Sequence, residues 1–177
     1  DLLTAVAGQS EDAVIDALDE AVAASLLRES APGLYEFTHA LVRTTLYDEL
    51  SATRRARRHR QVAEALEARG AADAIALAHH FGRSGAVDER AVDYATRAGA
   101  RAIELLAFDQ AVAFYAQGLE AADDIEVDDE RRLELLIGLG SAQQLAGSAD
   151  YRNTLLDAAA LARRLGDADA LARAAFA

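Results

Sequence analysis

Residues 91–122 read AVDYATRAGARAIELLAFDQAVAFYAQGLEAA, and this stretch decides the fold. Val92, Ala95, Gly99, Ala102, Ile103 and Leu106 recur at helical spacing, and Ala111, Phe114, Tyr115, Gly118 and Leu119 do so again after a short break. The two segments read as consecutive helices separated by a short break. Glycine or alanine stands where the two helices would cross (Gly99, Ala111, Gly118), with an aromatic at Tyr115 to lock them and Phe108 in the turn.

This arrangement resembles the tetratricopeptide (TPR) pattern, in which small residues allow close crossing and aromatics fill the gap between helices. A second pair follows, 131–146 and 151–165, with Gly140 at the small position, Gly147 in the turn, and Tyr151, Leu155 and Ala158 after it. From Gly99 to Gly140 the spacing exceeds the usual ~34 residues. The acidic run Asp123 to Glu130 is read as the linker that absorbs the excess, and its acids also favour the start of the following helix. A further helix begins near Asp169, and an earlier one, starting from about Ala72, carries Ile75, Ala78 and Phe81 before Gly82 and Gly85. The other reading of this half is a generic bundle with an alanine-rich core.

The first seventy residues read differently. Ser10 followed by Glu11 and Asp12 marks a helix start, a capping hydroxyl followed by acids at the positive end of the dipole. Val14, Leu18, Val22 and Leu26, with Ile15, predict one buried stripe. Leu27 to Glu29 and Leu34 to Phe37 flank Ala31-Pro32-Gly33; Pro then Gly at the middle of a turn predicts type II geometry and a hairpin. Thr38 is expected to cap a helix to about Leu50 carrying Leu41, Val42, Leu46 and Tyr47. Ser51 starts the next, with Ala56, Val62, Ala63 and Leu66 inward until Gly70. Helices around one hairpin suggest a winged-helix-like module over 1–70, followed by TPR-like repeats over 71–177 in a right-handed superhelix. The fold class is mainly α.

Composition agrees and excludes much else. The 177 residues are 52% hydrophobic, largely alanine, with five Phe, five Tyr and no Trp, which suits close helix packing more than a β-sandwich. The absence of Cys excludes disulfides, thiolate catalysis and cysteine metal sites. All 18 basic residues are Arg, so a Walker A lysine and Schiff-base chemistry are excluded. A formal net charge of −12 argues against general nucleic-acid affinity. No apolar run approaches the ~20 residues of a membrane span, and no signal-peptide pattern opens the chain, so a cytoplasmic location is expected. The chain holds no Met and ends inside a helical pattern, so it reads as a segment of a longer polypeptide.

The run Tyr35-Glu36-Phe37-Thr38-His39-Ala40-Leu41-Val42-Arg43-Thr44-Thr45-Leu46-Tyr47-Asp48-Glu49-Leu50 is similar to the segment after the ATPase core in large ATP-binding bacterial regulators of the LuxR type, members of the STAND class of signalling ATPases. Stretches 18–22, 76–81 and 159–167 share the resemblance. It implies a parent protein in which a nucleotide-binding domain precedes a winged helix and a helical-repeat arm follows; a DNA-binding domain or a nucleotide cyclase supplies the output in such proteins. The ATP/ADP site would then belong to the parent, with no cofactor bound by this segment alone. The partners would be the parent's own ATPase domain and a protein or small-molecule inducer on the repeats.

His39 is the first candidate residue. A capped helix would place it in the first turn, where the dipole favours anions and a neutral imidazole. The resemblance implies a contact to the β-phosphate of ADP; the residues alone equally allow a histidine packed under the hairpin on a backbone carbonyl. The second candidate is the basic patch Arg54, Arg55, Arg57, Arg58 and Arg60, with His59 inside it. It is open to three readings: a solvated face, a contact to an acidic surface of the parent, or phosphate binding. His79 and His80 diverge by about 100° on a helix and cannot share a metal. No catalytic constellation is present, so an enzyme is not expected of this segment. Two functions remain: a regulatory segment of a nucleotide-switched transcriptional regulator, or a TPR-like scaffold that binds a peptide or helix without nucleotide.

Overall fold

The computed structural model describes residues 2–70, 73–85 and 88–176. Among them are ten helices and one two-stranded antiparallel sheet, and the chain divides into two compact units, Asp1–Gly70 and Ala71–Ala177. The expected helix start near Ala72 and the terminal Ala177 lie outside the described residues.

In the first unit the order is α1 (Leu2–Ala7), α2 (Glu11–Ala23), β1 (Leu27–Ala31), β2 (Leu34–Phe37), α3 (Ala40–Glu49) and α4 (Ala52–Ala68). Ser10 caps α2 by accepting from the Ala13 N–H, and Ser51 caps α4 by accepting from the Arg54 N–H. The hairpin turns at Pro32-Gly33, with Gly33 at φ +74° as a type II turn requires. Arg28 faces Glu36 across the strands at 2.7 Å, and its guanidinium holds the Glu36 carboxyl below the usual range. Gly70, at φ +68°, follows the end of α4.

The stripe expected on α2 is only partly buried. Val14 is buried, while Ile15, Val22 and Leu26 are exposed. The hairpin is too small to cover a 13-residue helix, so the apolar period is present and its cover is not. Thr38 does not cap α3. Its hydroxyl donates instead to the carbonyls of Ser25 (2.7 Å) and Leu26 (3.1 Å), tying the base of the hairpin to the end of α2.

The second unit runs α5 (Ala74–Phe81), α6 (Glu89–Glu104), α7 (Phe108–Ile125), α8 (Asp129–Leu145), α9 (Tyr151–Leu165) and α10 (Ala168–Phe176). Each helix packs on the next, and α8 also lies beside both α6 and α10. Asp73, Asp88 and Asp128 cap their helices with side-chain oxygens. Phe108, expected in the turn, is the first residue of α7. The acidic run 123–130 is not a linker. It is the end of α7, a three-residue connection ending at the cap Asp128, and the start of α8. The long Gly99–Gly140 spacing is therefore helix, because acids at 129–130 suit a helix start as well as a loop.

The core explains the glycines. The Tyr115 ring lies between two of them: a Cβ on Gly99 would sit 2.6 Å from its Cε2, and one on Gly138 closer still to Cε1. Three helices, α6, α7 and α8, thus meet around one buried tyrosine. Gly118 leaves room for Leu135, and Gly140 for Leu155. Leu135, Val92, Ala102, Ala111 and Leu139 complete this cluster, and Leu133, Ile137, Leu161 and Ala170 continue it towards α10.

Candidate functional site

The exposed chemistry of the first unit gathers at the start of α3. The hairpin ends at Phe37, Thr38 is pinned to the end of α2, and His39 follows in extended backbone (φ −138°, ψ 137°) as the N-cap residue. It therefore stands one position outside the helix. Its side chain makes no capping hydrogen bond and is exposed, which corrects the reading of a histidine packed beneath the hairpin. Helix α3 begins without a side-chain cap, and in its first turn the Val42 N–H donates to the His39 carbonyl at 3.0 Å. Arg43, four residues on, is also exposed on α3. Arg43 belongs to the same motif, and its i, i+4 spacing from His39 is the signal in the sequence that marks it.

The arginine patch does not act as one surface. Arg58 donates to the Val6 carbonyl and to Gln61 Oε1, both at 3.1 Å, and so joins α4 to α1. Arg60 pairs with Glu64 at 2.8 Å one turn on. Arg55 lies over the Tyr47 ring, 5.3 Å from its centroid, and 3.8 Å from Asp48, with its Nε buried and without a hydrogen-bond partner. Arg54 and Arg57 are left on the exposed side of α4. Five charges close in sequence go to different neighbours because a helix turns about 100° per residue.

His59, read from sequence only as a member of that patch, is buried, and its Nε2 lies 2.9 Å from the Tyr47 hydroxyl. The rings meet edge to face at 6.0 Å, closing α3 onto α4. No sequence spacing announces this pair, twelve residues apart across a helix break.

In the second unit, α6 and α8 enclose a groove of about 330 Å³ lined by Val92, Asp93, Thr96, Arg97, Arg131 and Glu134. Its walls are held by ion pairs. Arg131 reaches Glu89 at 2.8 Å, and Arg173 of α10 reaches Glu134 at 2.9 Å. The Glu89 hydrogen bond and nearby acids raise the Arg131 pKa, keeping it charged. A wider groove of about 690 Å³ opens between α5 and α6, lined by Ile75, Arg97, Arg101 and Glu104 among others. Phe81 and Tyr94 stack nearly parallel at 5.3 Å between these helices, with Arg90 over Phe81 and Arg97 over Tyr94.

His79 and His80 meet edge to face, with ring centroids 5.2 Å apart. Arg83 Nη1 lies 2.9 Å from the His79 ring nitrogens, and burial, then that cation, lowers the His79 pKa. Among the described residues no group of three or more His, Asp or Glu side chains is placed to hold a metal ion, and no helix is long and apolar enough to cross a membrane.

Comparison with family models, with curated proteins and with solved structures finds no match to this chain. The resemblance to STAND-class regulators rests on the residues quoted for it.

Proposed function

We propose that this chain is a regulatory, protein-interaction segment of an ATP-dependent signalling protein of the LuxR-type STAND class. In this reading the first unit is a winged-helix-like module that senses nucleotide, and the helical pairs form a TPR-like superhelical arm that takes a partner or inducer. The observation that carries the reading is the exposed His39 at the uncapped start of α3. An imidazole, a helix start without a side-chain cap and Arg43 one turn on would form a half-site for an anion such as the β-phosphate of ADP. The other half, a phosphate loop, would come from the parent's ATPase domain, since this chain has no lysine to supply one.

The exposed apolar side chains of the first unit support the same reading. Leu34, Phe37, Leu41, Leu46 and Tyr47 lie on or beside the elements that carry His39, and Leu41 is 78% exposed. A module that packs against a neighbouring domain needs such a surface. The switch would be a change of partner for this face when the nucleotide changes. No step in this scheme asks the segment itself for catalysis.

Calorimetry of ADP and ATP against the polypeptide that joins this chain to its nucleotide-binding domain tests the proposal. Tight ADP binding that weakens by about tenfold or more in His39→Ala is the expected result. Unchanged binding in the variant removes His39 from the site, and absence of any nucleotide binding removes the nucleotide reading.

The second reading, a scaffold that binds a peptide or helix without nucleotide, is favoured by the α6–α8 groove. Its mixture of Val92 with Asp93, Thr96 and Arg97 suits an extended or helical peptide.

A further inference from the structure

Three helices of the second unit end in the same motif, and one uses the wrong kind of residue for it. After α8, the Gly147 N–H donates to the Gln144 carbonyl and the Ser148 N–H to that of Gln143. After α9, Gly166 and Asp167 repeat the pattern onto Arg163 and Ala162. Both glycines are left-handed, at φ +73° and +72°. After α6, the Leu106 N–H donates to the Ile103 carbonyl and the Ala107 N–H to that of Ala102, and Leu106 takes the left-handed position at φ +59°. A γ-branched residue is strained there, where glycine is not.

Burial does not account for the leucine, because Leu106 is 75% exposed. Nor does it stand alone. Leu106 and Leu145, itself 50% exposed at the end of α8, line one shallow groove of about 400 Å³ with Phe108 and Ala107. The groove lies at the α6–α7 and α8–α9 turns, on residues distinct from those of the α6–α8 groove. Asp109 is the one ionisable group lining it among the described residues.

We propose that this groove is a docking site for an amphipathic helix of a partner protein whose apolar face is flanked by Lys or Arg. Leu106 and Leu145 supply the apolar contact, and Asp109 meets the flanking cation. Charge selects this occupant over a second copy of the chain, which would bring another Asp109 and another net charge of −12 to the contact. The site does not depend on the nucleotide reading.

The test uses the full chain and two fluorescent helical peptides of about 14 residues, four turns long, one of Leu and Lys and one of Leu and Glu. Affinity is read by anisotropy, and position by the methyl resonances of Leu106 and Leu145. The Leu/Lys peptide is expected to shift both methyls, and Leu106→Gly to weaken it by about tenfold or more. Leu156→Ser, which alters an exposed leucine elsewhere on the unit, is expected to change affinity less than about twofold. Glycine fits the backbone at 106, so the variant should unfold at the same temperature as the parent or higher. The proposal is overturned if the Leu/Lys peptide fails to bind, if the two variants weaken it alike, if the Leu/Glu peptide binds as well, or if the shifts map to the α6–α8 groove. Self-association lost in Leu106→Gly would overturn it in favour of a second copy.

Discussion

The two units share a residue vocabulary and bury it to different extents. In the second, Leu77, Phe81, Val92 and Leu135 are fully buried, and alanines and glycines let the helices close around Tyr115. In the first, the buried apolar side chains among the described residues are Val14 and Ala63, with His59 also buried, while Leu, Ile, Val or Phe side chains on α1, α2, β2 and α3 stay exposed. Consecutive antiparallel helices cover one another, each supplying the face its neighbour needs. A two-stranded hairpin flanked by helices has no second layer and leaves its apolar faces open. The first unit therefore rests more on polar ties: Thr38 to the end of α2, Arg58 to α1, Tyr47 to His59.

The sharpest way to break this contrast is to truncate one buried side chain in each unit. Leu135→Ala should destabilise the second unit by about 2–5 kcal/mol, because the cavity is enclosed on all sides. Val14→Ala should cost about 1.5 kcal/mol, the burial of two methyl-sized groups, with less cavity cost where neighbouring apolar cover is thinner. Equal costs in urea unfolding would remove the distinction.

Gly138→Ala comes next, at about 1–3 kcal/mol, since the new methyl must displace the Tyr115 ring. A crystal structure or the tyrosine fluorescence of the variant would show the ring moved; unchanged stability would mean that the three-helix contact is looser than described. In the first unit, Tyr47→Phe should cost about 1 kcal/mol by removing the hydroxyl that is hydrogen-bonded to the buried His59 Nε2. Hydrogen exchange should place that loss in α3 and α4 and leave the second unit unchanged.

The smallest effect is alkaline. Burial, then the Glu134 carboxylate, raises the Tyr115 pKa. The folded state then holds the phenol proton more tightly than the unfolded state, so the stabilisation is complete below the ordinary tyrosine pKa of about 10 and is lost as pH rises through the folded value. With no lysine in the chain, no ammonium titrates in that window. Urea unfolding at pH 9 and pH 11 should show the loss, reduced in Tyr115→Phe.

How much of this could be read in advance differs by element. The Pro32-Gly33 turn, the caps Ser10 and Ser51, and the bounds of α9 were legible because each is a local rule acting over four residues or a clear helical period. Gly99 and Tyr115 were legible as a crossing, but Gly138 was not, because its partner lies 23 residues away on another helix. At the candidate site, His39 was visible and its placement was not. The Thr38 hydroxyl had two possible uses, accepting from the N–H groups of a helix start or donating to the Ser25 and Leu26 carbonyls, and only the packing of the hairpin chose between them.

By itself the sequence determined the mainly helical class, the single hairpin, and the exclusions that follow from having no cysteine and no lysine; all are local or compositional properties. Only the tertiary structure decided which arginines are spoken for, that His59 is buried, that the acidic run holds only a three-residue connection between two helices, and that Leu106 stands exposed in a strained turn. Those outcomes depend on contacts between residues far apart in the chain, where side-chain direction and the cover provided by a neighbouring element decide what a residue type can do.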